Sequence, residues 1–208
     1  MHIEPGYVSG AKIVAANATA IALLGSQSLG LLKQPQQIVR TFLAAAFFTL
    51  FMQMLHLPVG PSELHFVGAM PIYLTLGFLP TLFGFALGLL LQGLLFTPTD
   101  LVHLGVNTLS LAVPLCLLHA TFGAKLAKLD VKTIVKLDAF YYSGVTLMVG
   151  FWLAVGEVAT PLAAWATFAA SYASIVVAEP IFTWLTLKGL ARYQDRAAVR
   201  FCFTARAL

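Results

Sequence analysis

Apolar residues run along this chain in blocks of about 20, separated by short breaks that carry Pro, Gly, charge or side-chain amides. A helix needs about 20 apolar residues to cross the ~30 Å hydrocarbon core of a bilayer, so the blocks identify lipid, rather than one very large core, as the solvent of this chain. They predict seven helical spans, at 11–32, 41–57, 65–79, 80–97, 104–124, 137–157 and 162–187. The breaks are KQPQQIVR, HLPVGPSELH, the region of Pro80, FTPTDLVH, AKLAKLDVK and VGEVATP, each with residues that punctuate helices. Only Gly77 to Pro80 part the third and fourth spans, which also read as one long kinked helix. The expected fold class is an all-α integral membrane bundle of about seven transmembrane helices. It forms a single domain, 1–208, with a short segment, 1–10, before the first helix and a tail, 188–208, after the last.

Composition agrees. The chain is 60% hydrophobic and 10% charged, against roughly 25% charged in an ordinary soluble domain. The net charge of +4 sits in a few short breaks and the tail, which reads as membrane topology and not as a nucleic-acid surface. With seven spans, Lys33, Arg40, Lys125, Lys128, Lys132, Lys136, Lys188, Arg192, Arg196, Arg200 and Arg206 fall on one side of the membrane and Lys12 on the other. Six or eight spans would scatter them. The positive-inside rule then puts the C-terminus in the cytoplasm and the N-terminus outside, with the loops that carry His65, His103 and Glu157. The opening MHIEPGYVSG lacks the basic start and unbroken apolar run of a cleaved signal peptide. Cys116 lies inside an apolar block and Cys202 in the tail, too far apart for a disulfide or a thiolate metal site.

Candidate chemistry rests on histidine, which is a functional-site candidate in or near a membrane. Of the five, His56 and His119 lie at span ends, where a neutral imidazole can bond a carbonyl or interfacial water, and His103 opens the fifth span in LVHLGVN. His2 differs because Met1 precedes it. A free amine, the next amide nitrogen and the imidazole of a second-position histidine can close two fused chelate rings on one ion, placing three nitrogens in a plane. Planar nitrogen coordination suits Ni(II), Cu(II) and, less well, Co(II), and a fourth donor completes the square. A histidine in a frayed terminus is the competing reading.

The opening Met1, His2, Ile3, with Gly6 and Tyr7, resembles the MHIxxG start of the CbiM/NikM family, the substrate-binding components of cobalt and nickel energy-coupling-factor transporters. PSELHFVGAM, LLLQGLLF at 89–96 and LGVNTLSLAV at 104–113 are similar to that family's histidine loop, glutamine-bearing helix and LGxN helix, in the same order. AEPIFT near the C-terminus matches less closely. The resemblance implies that Met1 (amine), His2 (amide and imidazole) and His65 ligate the metal, with Asn107 holding the inserted terminus; His103 is a candidate supporting group only by its place at the opening of the fifth span. It also implies a seventh helix at the N-terminus, a transmembrane coupling subunit, a pair of cytoplasmic ATPases and, in many systems, a small accessory membrane subunit. Its cargo would be Co²⁺ or Ni²⁺, with no prosthetic group, in a bacterial plasma membrane. The chain departs from the family at Glu4-Pro5, at TPTD after the glutamine helix, and at Leu109, Ser110 and Leu111 after LGxN.

Gln92 and Glu179 are polar groups deep in spans, where such groups face the bundle or a partner. GxxxxGK[ST] is absent, so any ATP-driven step belongs to partners. HExxH is absent too, which weighs against an intramembrane metalloenzyme and for a non-enzyme. A component for an organic vitamin and a membrane scaffold remain as alternatives.

Overall fold

The computed structural model describes residues 3, 6–60, 62–123, 126 and 129–204. The helices are α1 (Gly10–Leu32), α2 (Pro35–Met54), α3 (Ala69–Leu76), α4 (Phe78–Leu95), α5 (Leu104–Phe122), α6 (Val131–Ala154), α7 (Leu162–Ala191) and α8 (Ala197–Cys202). A 3-10 turn, Pro98–His103, leads into α5, and strands β1 (His56–Val59) and β2 (Ser62–His65) form an antiparallel hairpin between α2 and α3. Its turn begins at Gly60, whose φ of +61° lies in the region that favours glycine.

Among the described residues six helices are long and apolar enough to cross a membrane: α1, α2, α4, α6, α7 and α5 with its 3-10 turn. The third expected span, 65–79, takes another form. Its helical part, α3, has 8 residues, all buried. By itself α3 is roughly 12 Å long, but with the extended chain from Ser62 to Gly68 the pass reaches roughly 35 Å. The crossing therefore combines strand and short helix. Extended backbone is tolerated at membrane depth only where protein covers it, and Ser62, Leu64, His65 and Val67 are all buried.

Other boundaries moved for local reasons. Pro35, in the first turn where no N–H is needed, starts α2 six residues before the apolar block at 41. Asp130 accepts the Thr133 N–H at 2.8 Å and starts α6 at Val131 and not at 137, so Lys132 and Lys136 are helical, and the Lys136 ammonium lies over the Phe122 ring. Likewise α7 runs past 187 to Ala191, with Lys188 folded over Trp184. Long basic side chains can lie along apolar surface in this way while the charged head stays near water.

The central helix α3 packs against α2, α4, α6 and α7, while α1 lies on α5 with Ala16 and Ala20 buried. Close approach of α2 and α4 depends on glycine: a Cβ on Gly84 would stand 2.4 Å from the Ala44 Cβ. One end of the bundle gathers Ile3, Ser62, His103 and Asn107. The other gathers Gln27, Gln37, Arg40, Gly77, His119 and Thr204 around a cavity of about 480 Å³. Residues 3 and 204 thus lie at opposite ends.

Gly68, with φ +63°, turns the extended segment into α3, and a Cβ there would lie 2.2 Å from the Phe51 ring. Gly68→Ala is expected to destabilise the protein by roughly 2–3 kcal/mol, through strain and overpacking together. Gly25→Ala, in open space on α1, should be neutral or stabilise by up to about 1 kcal/mol. Thermal unfolding in detergent compares the two.

Candidate metal site

The N-terminal segment is drawn into the bundle by its backbone. The Ile3 N–H donates to Asn107 Oδ1 at 3.2 Å, and His103 Nδ1–H donates to the Ile3 carbonyl at 2.9 Å. Both polar groups of one peptide residue are thereby held by side chains about 100 positions away. Ile3 is buried, and it forms an antiparallel bridge with Ser62 at the start of β2. Further along, the Tyr7 carbonyl accepts the Glu157 N–H at 2.8 Å. Lys12 Nζ reaches Glu157 Oε1 and the Val155 carbonyl, both at 2.6 Å. Hydrogen bonds from Lys12 and Ser9, reinforced by the Lys12 charge, hold the Glu157 carboxyl below its ordinary value of 4.5. A lowered carboxyl keeps this tie intact at neutral pH and loses it as pH falls through that depressed value.

Asn17 on α1 accepts the Gly105 N–H at 2.9 Å, and a Cβ on Gly105 would overlap the Asn17 backbone. The contact pins α1 to the start of α5, between His103 and Asn107. Nothing in the sequence pattern marked Asn17, because one amide in an apolar helix has no local partner.

His65 ends β2 and is 2% exposed. Its Nδ1 lies 3.4 Å from the Met52 carbonyl, and its Nε2 lies 2.9 Å from Glu63 Oε2. Donation from Nδ1–H to a backbone carbonyl is the usual way a metal-ligating imidazole is oriented, with the other nitrogen presented to the ion. Here Nε2–H donates to the Glu63 carboxylate, so a cation that takes the place of that proton meets an imidazole and Glu63 together. Strand geometry is what unites them, since residues two apart share a face. A helix beginning at 65 would have hidden this relation. The ring of His56, opposite His65 in the hairpin, stacks on it at 6.1 Å.

Met1 and His2 lie outside the described residues. Of the other expected site residues, His103 and Asn107 both hold Ile3, while His65 lies on the strand whose first residue, Ser62, pairs with Ile3. Gln92 is buried in α4, its Oε1 without a hydrogen-bond partner. Glu179 belongs elsewhere: it accepts the Met70 N–H at 2.8 Å and the Tyr142 hydroxyl, beneath the hairpin. Beside it lies Asp138 on α6, also fully buried, which the sequence reading passed over because it sits one residue into the expected span. Among the described residues no three His, Cys, Asp or Glu side chains group as metal ligands. A cavity of about 600 Å³ between α1, α5 and α6 is lined almost wholly by apolar side chains and offers no imidazole.

The family model for the cobalt uptake substrate-specific transmembrane region, CbiM, matches residues 2–197. The chain belongs to the CbiM family. A crystal structure of a transition metal transporter shares the fold of this CbiM chain with a TM-score of 0.74, at 20% identity over 96% of each chain. A crystal structure of a truncated transition metal transporter gives 0.68, at 21% identity over 93% of this chain and 97% of that one. Comparison with curated proteins gives no match. As a CbiM protein the chain is a multi-pass membrane component that confers substrate specificity on metal uptake, and not an enzyme.

Asn107→Leu leaves the Ile3 N–H buried without its acceptor, a loss of about 1–3 kcal/mol. It should lower the melting temperature in detergent and speed amide exchange at Ile3. Glu157→Gln, acting on an exposed tie, should leave Ile3 protected.

Proposed function

We propose that this CbiM protein captures a divalent cobalt or nickel ion from outside a bacterial plasma membrane and delivers it inward through an ATP-driven partner complex. The ligands are the Met1 amine, the His2 amide nitrogen and imidazole, and the His65 Nε2. The observation that carries this reading is the antiparallel bridge between Ile3 and Ser62. Ile3 is the residue that follows His2, and Ser62 lies three residues before His65 on the same strand. The clamp from His103 and Asn107 holds the residue next to the chelate and restricts where the terminus can go, which lowers the ordering cost of capture.

The order of events follows from the donors. The amine and imidazoles bind in their deprotonated forms, so capture weakens as pH falls. The ion takes the place of the proton on His65 Nε2, which is released to water, and the Glu63 carboxylate that accepted it stays close to the divalent charge. Nitrogen donors favour late transition metals over the abundant hard cations, which prefer oxygen. By the positive-inside rule, the basic residues near the Thr204 end support a cytoplasmic position for that end and an external one for the Ile3 end, as capture requires. Delivery rests on partners: a transmembrane coupling subunit, cytoplasmic ATPases and a small accessory membrane subunit.

Calorimetric titration of the purified protein with Co²⁺ and Ni²⁺ tests the site. His2→Gln removes the imidazole and opens the six-membered chelate ring, and should weaken binding by more than about 100-fold, beyond the 10–100-fold typical of losing a supporting group. His65→Ala should cost at least about tenfold. Unchanged binding in His2→Gln would remove the chelate.

A further inference from the structure

The broken third pass is closed at both ends by groups from distant parts of the chain. The first N–H and last C=O groups of any helix lack partners within it, and in an eight-residue helix these are most of the backbone. At the start of α3, Glu179 on α7 accepts the Met70 N–H at 2.8 Å and bonds the Gly68 backbone as well. At its end, Thr204 in the C-terminal tail supplies two donors: its N–H to the Thr75 carbonyl at 2.7 Å and its hydroxyl to the Leu74 carbonyl at 3.0 Å.

Thr204 is itself held in place. Arg40 on α2 donates to the Phe203 carbonyl at 2.7 Å and to the Phe201 carbonyl at 3.2 Å. Gly77, with φ +96°, ends α3 and admits the tail, since a Cβ on it would stand 3.3 Å from the Thr204 methyl. α3 is thus a short buried strut, fixed at one end by Glu179 and at the other by the tail. His65 precedes it by four residues, joined through extended chain whose Phe66 N–H bonds the Leu55 carbonyl.

We propose that Thr204 is a positioning residue for His65: by securing the inner end of α3, the C-terminal tail sets how firmly the metal-binding loop is held at the opposite end of the bundle. A subunit that engages the tail from the cytoplasmic side then loosens the captured ion without touching it. This rests on His65 being a ligand. It differs from a local helix cap in one respect: disturbance at Thr204 must be felt at Phe66 to Met70 and not merely at Gly77.

The test uses the full-length protein in detergent. Thr204→Pro removes both donors, and Phe203 before it is already extended (φ −121°, ψ 159°), as a residue preceding proline must be. Thr204→Ser keeps both. Two quantities are read: amide exchange over residues 62–76 without metal, and the rate at which bound Co²⁺ is lost to excess chelator. The loss of two hydrogen bonds should raise exchange at Phe66 to Met70 and speed Co²⁺ loss about tenfold in Thr204→Pro, while Thr204→Ser behaves as wild type. Faster exchange confined to Thr75–Gly77 with an unchanged Co²⁺ rate would reduce Thr204 to a cap and overturn the proposal. So would Thr204→Ser matching Thr204→Pro. If the wild-type protein holds no Co²⁺, the capture reading fails by itself, and the exchange pattern still decides whether tail and loop are linked.

Discussion

In hydrocarbon there is no water to satisfy a backbone N–H or C=O, and a lipid-exposed strand or loop does not survive there. Six passes of this chain meet that demand by being helices. The third does not, and much of the remaining architecture follows from that exception. Its strand pairs with β1, its short helix is buried on every side, and its loose ends are taken up by the Glu179 carboxylate, the Thr204 amide and the Thr204 hydroxyl. A buried carboxylate is costly unless paired or hydrogen-bonded, so Glu179 at mid-helix needs the Met70 N–H and the Tyr142 hydroxyl as much as α3 needs the acceptor.

The same constraint shapes the N-terminal segment. Burying Ile3 takes a peptide N–H and C=O out of water, and Asn107 and His103 replace both contacts. Burial of Ile3 and fixing of its backbone are therefore one event. The hairpin completes the arrangement, because a strand edge at Ser62 accepts the incoming chain while period-two geometry turns Glu63 and His65 to one face. An unbroken helix across 65–79 would offer no edge.

What the sequence showed, and what it did not, divides along the range of the interactions involved. The long spans were readable because twenty consecutive apolar residues report their solvent without reference to any neighbour. Starts of α2 and α6 were misplaced because Pro35 and Asp130 act on helix ends, while the reading followed hydropathy and set the polar turns aside. Glu63 escaped notice because its relation to His65 depends on strand and not helix geometry. Asn17 escaped because its partner, Gly105, lies 88 residues further on.

By itself the sequence determined that this chain lives in a membrane, where its apolar blocks lie, where its positive charge accumulates, and that a histidine follows Met1. Each of these is a property of local composition or of adjacent residues, and folding does not alter it. Tertiary structure alone decided that the third pass is broken, that Ile3 sits between His103 and Asn107, and that Thr204 closes a helix 130 positions earlier. Those contacts depend on how closely helices approach and at what rotation, which small residues such as Gly84 and Gly105 control through the clashes they avoid. No local pattern records an avoided clash, so these relations appear only once the helices are packed.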